Sequence, residues 1–270
     1  MRETAARPDL LTLIAIAVVA YAISNVTHEG LGHGGACLLV GCKPHLLTSM
    51  QFDGDATQLS SAAVRIIAAG GSVMNLLLAG AAALLLRGTR TDRPHRWFFF
   101  WLLASVSLLQ ATGYLLFSGV GNVGDWVVVT DGLPGGAVWK VLLIVVGAAT
   151  YWLAVRWSMS RLGRHLQEAA PTRVREAYRY TLPAYFTGAV LAVVAGMFDP
   201  AAQSIILISG IAASLGGTSG LAWGPQLLRN PSFAPAGEAL APLGRVWAWI
   251  AAGAVCATAF VLILGPGLRF

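Results

Sequence analysis

Charge is what this sequence has least of. Only 11% of its 270 residues are Asp, Glu, Lys or Arg, whereas soluble domains carry about 25%. With 56% hydrophobic residues and a mean hydropathy of +0.68, a water-soluble globular domain is excluded and the chain reads as an integral membrane protein. Cysteine is scarce too. Cys37, Cys42 and Cys256 supply no disulfide framework and read as small packing residues. Cys37, four residues after His33, is also a candidate soft metal ligand. Acidic residues number 12 against 18 basic, a net charge of +6. The basic excess lies in short loops between apolar runs and is not interleaved with aromatics, so it does not point to nucleic acid. No segment is long and polar enough to form a soluble insert, and the two halves share no internal repeat.

What is present is a series of apolar runs. A membrane-crossing helix needs about 20 mostly apolar residues. Candidates are Leu10–Thr27, Ala62–Leu86, Trp97–Ser118, Ala137–Trp157, Leu182–Met197, Ala201–Trp223 and Val246–Leu264. The short gap around Asp199 suits a tight hairpin between the fifth and sixth. The runs are long, rich in Ala and Leu, and do not alternate, which argues against membrane strands. The expected fold is therefore all-α: a polytopic bundle of six or seven transmembrane helices. "KPHLLTSMQFDGDAT", between the first two, has the length and turn signal of a short β-hairpin, and its "FDGD" reads as a turn.

Arginine sets the orientation. Arg87, Arg90, Arg93 and Arg96 lie between the second and third runs, and Arg156, Arg161, Arg164, Arg173, Arg175 and Arg179 between the fourth and fifth. Gly119–Gly136 holds Asp125 and Asp131 and no basic residue before Gly136. Positive-inside places the Arg-rich loops and the N-terminus in the cytoplasm. A competing reading makes the N-terminus a signal peptide, with Ala20-Tyr21-Ala22 as its cleavage site. Cleavage there would remove the helix that leads into the next feature.

That feature is "THEGLGH". Ionisable groups at membrane depth mark function by default, and here His28, Glu29 and His33 close the first run. "AAGGSVMNLLLAG" lies early in the second run, and "FSGVGNVGDW" closes the third. Counting spans puts all three on one membrane face. Zinc takes imidazole nitrogen and carboxylate oxygen, and catalytic sites keep three protein ligands and one open position. His28, His33 and Asp125 can form such a set, with Glu29 beside them as an acid–base group. The spacing is awkward. Residues five apart on an α-helix differ by about 140° and do not share a face. Either a π-turn brings i and i+5 together or the helix breaks, and Gly30, Gly32, Gly34 and Gly35 ease either distortion. Asp131, Asp53 and Asp55 are rival carboxylates. The plain alternative is that both histidines are simply solvated at the interface or bonded to loop carbonyls.

These residues resemble the site-2 protease family of intramembrane zinc metalloproteases. "HEGLGH" stands for its H-E-x-x-H motif with one extra residue, "GSVMN" for its G-x-x-x-N element, and "NVGDW" for its Asp-bearing third motif, with the proline missing and Trp126 in place of glycine. The likeness covers about Leu10–Trp126. It implies a metalloprotease-like core over 1–134, with additional transmembrane helices over 135–270. It also implies Zn2+ as cofactor, His28, His33 and Asp125 as ligands, Glu29 as general base, and Asn75 as a group near substrate or oxyanion. The hairpin would hold an extended, membrane-anchored protein substrate by strand addition, with His45 on its surface. A regulatory membrane partner or a homo-oligomer fits the remaining helices. Two alternatives stay open. One is a non-proteolytic protein of the same fold. The other is a proton or cation transporter using His28, Glu29 and Asp125.

Overall fold

The computed structural model describes residues 7–166, 170–200, 215–235 and 237–270. Helix α1 (Leu10–Val26) starts at Asp9, whose side chain accepts a hydrogen bond from the Thr12 amide, an N-cap. It runs into a π-helical segment, Thr27–Gly34, and then α2 (Gly35–Leu39). An antiparallel hairpin follows, β1 (Lys43–Leu47) and β2 (Phe52–Asp55). Then come α3 (Ser61–Arg87), α4 (Pro94–Gly121), the short α5 (Asp125–Thr130), α6 (Gly136–Gly163) and α7 (Ala170–Gly196). The described remainder holds α8 (Gly220–Trp223), two 3-10 turns, α9 (Trp247–Thr258), a π-turn over Ala259–Ile263, and β3 (Leu268–Arg269). The fold is mainly helical, as expected, with one three-stranded sheet in the order β2-β1-β3.

Among the described residues four helices are long and apolar enough to cross a membrane: Leu10–Leu39, Ser61–Arg87, Pro94–Gly121 and Gly136–Gly163. These match the first four expected spans. The fifth, Leu182–Met197, corresponds to the second half of the longer α7, which ends at Gly196 and whose first half carries arginines and a glutamate. The sixth, Ala201–Trp223, falls largely outside the described residues. The seventh corresponds to an apolar helix of 17 residues or fewer, Trp247–Ile263.

Helix α4 is the hub. It is buried along most of its length and packs on α1, α3 and α6. Leu13, Ile16 and Tyr21 of α1 meet Phe98, Trp101 and Leu102 of α4, with Met159 and Leu162 of α6, in one core. Backbones approach closely at small residues, the usual way helices associate where the solvent is itself apolar. A Cβ placed on Gly147 of α6 would fall 2.5 Å from the Leu116 amide nitrogen of α4. The outer faces of α3 and α6 leave Leu84, Leu85, Val141 and Val145 exposed, as lipid-facing surfaces require. Just behind the π-segment, the Ser24 hydroxyl donates to Gln110 Oε1 at 2.6 Å, and Gln110 Nε2 donates to Asn25 Oδ1 at 2.9 Å. This polar link fixes α1 to α4.

Two local expectations are corrected. "FDGD" is not a turn but strand β2, paired from Lys43↔Asp55 to Leu47↔Phe52. The reversal falls earlier, at Thr48–Gln51, where the Thr48 hydroxyl accepts from the Met50 and Gln51 amides. The cysteines do more than pack: Cys37 and Cys42 form a disulfide, which removes Cys37 as a soft metal ligand. The helix ends after Leu39 and Gly41 turns back at a φ of +82°, which brings the two Cα atoms to 4.7 Å, within disulfide range.

Candidate metal centre

The π-segment is the local answer to the extra residue in the motif. The Gly35 amide bonds back to Gly30, five residues earlier, the signature of a π-turn. The wider turn sets His28 and His33 side by side, with their Nε2 atoms 3.2 Å apart. The segment lies against α3 at glycine pairs. A Cβ on Gly71 would stand 2.5 Å from His28 Nε2 and 2.6 Å from His33 Nε2. Only a residue without a side chain leaves room there.

Asp125 arrives from the other side. Helix α4 stops at Asn122, which adopts the left-handed conformation at φ 55°. Gly124 at φ 94° completes the reversal, so Asp125 opens α5. Trp126 then donates its indole N–H to the Ser72 hydroxyl at 3.0 Å, stapling α5 to α3. Asp125 Oδ2 lies 3.4 Å from His28 Nε2 and 3.3 Å from His33 Nε2. The three ligand-type atoms thus form a triangle with edges of 3.2–3.4 Å. Around a tetrahedral ion with bonds of about 2.0–2.1 Å, neighbouring ligand atoms stand roughly 3.3–3.4 Å apart. His28, His33 and Asp125 can hold a metal ion. Asp53, Asp55 and Asp131 are not part of this group.

The surroundings suit that role. His33 Nδ1 lies 2.8 Å from the Ile67 carbonyl. Its N–H is donated there, which leaves a lone pair on Nε2. That lone pair faces Asp125 Oδ2, a buried oxygen with no directed hydrogen bond. Two such acceptors repel unless a proton or a metal ion stands between them. Asn75, 1% exposed, sets its amide 3.3 Å from His28 Nδ1. Its Oδ1 as placed has no partner. Turning the amide over would let Oδ1 accept from Nδ1–H, and such a choice is settled by the bonding network. In either sense Asn75 braces His28.

The site opens into a cleft of about 500 Å³ lined by Glu29, His33, Asp125, Tyr114 and residues of β2. Glu29 therefore shares the cavity with two members of the triangle. His45, as expected, sits outside it, exposed, 3.9 Å from Asp53. Tyr114 did not stand out in the sequence. Its ring lies edge-on to His28 at 5.7 Å between centroids, and its hydroxyl is 3.2 Å from where a Cβ on Gly124 would lie. The signal was its place on α4 about two turns before Asn122.

No family model, no curated protein and no solved structure matches this chain.

Proposed function

We propose that the protein is an intramembrane zinc metalloprotease that hydrolyses a peptide bond in the transmembrane or juxtamembrane segment of a membrane-anchored protein. One observation carries the reading: an imidazole–imidazole–carboxylate triangle of tetrahedral dimensions, with a glutamate in the same cleft. His28, His33 and Asp125 would hold the zinc. When bound, zinc supplies Lewis acidity, which polarises a carbonyl and lets water lose a proton near neutral pH. Glu29 takes that proton as general base and returns it to the leaving amine. Tyr114 lines the cleft, and its hydroxyl can donate to the oxyanion as the carbonyl becomes tetrahedral. Asn75 keeps the His28 ring at the angle the metal needs.

Substrate presentation follows from the sheet. Strand β2 is an edge strand, and Phe52, Asp53 and Gly54 line the cleft. An unwound substrate segment can add to that edge, aligned by main-chain hydrogen bonds. The chain would cross the cell membrane six or seven times, with a cytoplasmic N-terminus. The site would then lie toward the external face. The Cys37–Cys42 disulfide beside it supports that sidedness, because disulfides persist in oxidising compartments.

The test is cleavage of a model transmembrane substrate by the purified protein, with zinc content measured in parallel. Wild-type cleavage abolished by chelation and restored by zinc supports the reading. Ion flux indifferent to chelators, without cleavage, would instead favour a transporter.

A further inference from the structure

A second pocket, of about 170 Å³, opens at the opposite end of the bundle. There α3 ends at Arg87, α4 begins at Pro94 and α6 closes at Gly163. Arg87 and Arg161 line it, with His165, Thr91 and the rings of Trp97 and Trp157. The charges that act on Arg161 are Arg164 and Arg87, both positive. Among the described residues neither Arg87 nor Arg161 makes an ion pair. Like charges converging on one cavity repel, and an anion between them turns that repulsion into attraction.

The walls are built rather than incidental. Trp97 is 3% exposed and carries His165 edge-on at 4.8 Å between ring centroids. His165 Nδ1 is held by the Glu238 carbonyl at 2.6 Å. The Ala241 amide donates to the Thr91 carbonyl at 3.3 Å, fixing the α3–α4 loop beside the pocket. Arginine presents a planar fork matched to phosphate oxygens. Tryptophan gathers at the headgroup level of a bilayer. The spanning helices α3 and α6 end here, so the pocket lies at the plane of the lipid phosphates on the arginine-rich side.

The geometry points to a phosphate-binding site, formed by Arg87 and Arg161 between α3, α4 and α6, that takes the headgroup phosphate of an anionic phospholipid. Basic pockets between membrane helices bind such headgroups elsewhere. Free phosphate shares the chemistry, and the experiment separates the two sources. The site is independent of the metal centre and of any proteolysis.

The full chain is purified in neutral detergent, stripped of lipid, and unfolded thermally while phosphatidylglycerol, phosphatidylcholine or inorganic phosphate is titrated. Saturable stabilisation by phosphatidylglycerol, with the midpoint moved about tenfold for each of Arg87→Gln and Arg161→Gln, is the expected result. Arg175→Gln, at an exposed arginine that does not line the pocket, leaves the midpoint unchanged. Equal stabilisation by inorganic phosphate, lost in the same two variants, keeps the phosphate site but assigns it a soluble ligand. The proposal is overturned if both single variants keep the wild-type midpoint, or if phosphatidylcholine stabilises as well as phosphatidylglycerol. Should one variant fail to fold, the other decides.

Discussion

Gly32 of the π-segment and Gly71 of α3 meet backbone to backbone: a Cβ on Gly32 would fall 2.6 Å from the Gly71 Cα. This contact sets the distance between the helix that carries both histidines and the helix that braces them. A side chain at either position forces the helices apart. Gly71→Ala should strip zinc from the protein without touching a ligand, because its Cβ would occupy space against both Nε2 atoms. Metal analysis on the purified, folded variant checks this. Full zinc occupancy would show that the approach is looser than drawn.

Ligand and base should separate cleanly. Glu29→Gln is expected to retain zinc and lose cleavage by about 100- to 10,000-fold. His33→Ala and Asp125→Ala are expected to lose zinc. Zinc retained in full by His33→Ala would remove that residue from the ligand set. Cleavage unchanged in Glu29→Gln would end the proposed mechanism.

Asn75 sets its amide against His28 Nδ1 at 3.3 Å. Asn75→Ala should weaken zinc binding about 10- to 100-fold, as loss of an outer partner does, while the fold persists. A competition titration against a chelator reads this directly. An unaltered zinc affinity with lowered cleavage would instead mean that Asn75 serves the substrate.

Tyr114 offers a different signature. Tyr114→Phe removes only the hydroxyl of a residue that lines the cleft, so zinc content should not change while kcat falls about 100-fold. An equal fall in zinc and activity would make the residue a structural prop of His28.

Away from the site, the Asp9 carboxylate accepts from the Thr12 amide and pairs with Arg245 at 2.9 Å. Chiefly through that Thr12 bond, and then through Arg245, its pKa is lowered. A depressed folded pKa contributes stability that is present above the unfolded value of about 3.9 and lost as pH falls through the folded one. Asp9→Ala should therefore lower the melting temperature at pH 7, and the gap to wild type should close in acid. A gap that stays constant to the lowest usable pH would exclude this linkage.

The four long spans and the His–Glu–His cluster were legible from hydropathy and ligand chemistry, Asp125 from counting spans to one membrane face, and a bulge or break after His28 from helix geometry. What escaped was set by partners distant in sequence. "FDGD" carries residues that disfavour strands, and it becomes one because β1 pairs with it and the Cys37–Cys42 disulfide packs beneath Gly54. Helix α7 begins at Ala170, well before the apolar run, because a charged stretch can be helical without lying in lipid. There, buried Arg173 donates to the Gly163 carbonyl at 2.7 Å, tying α7 to the end of α6. Tyr114 was one aromatic among many on an apolar helix until the reversal at Asn122 turned the chain back beside it.

The wide turn also has a mechanical meaning. Leu31, 61% exposed, sits within it, and the helix continues beyond as part of one 30-residue span to Leu39. Surplus chain is taken up at one place, as slack is taken up by a tensioner on a belt, and the rest of the helix keeps its heading. Cys37 still reaches Cys42, and His33 still reaches His28 and Asp125. Spacing along the chain records the site only where the coil is regular; here the coil changes gauge so that the site does not have to.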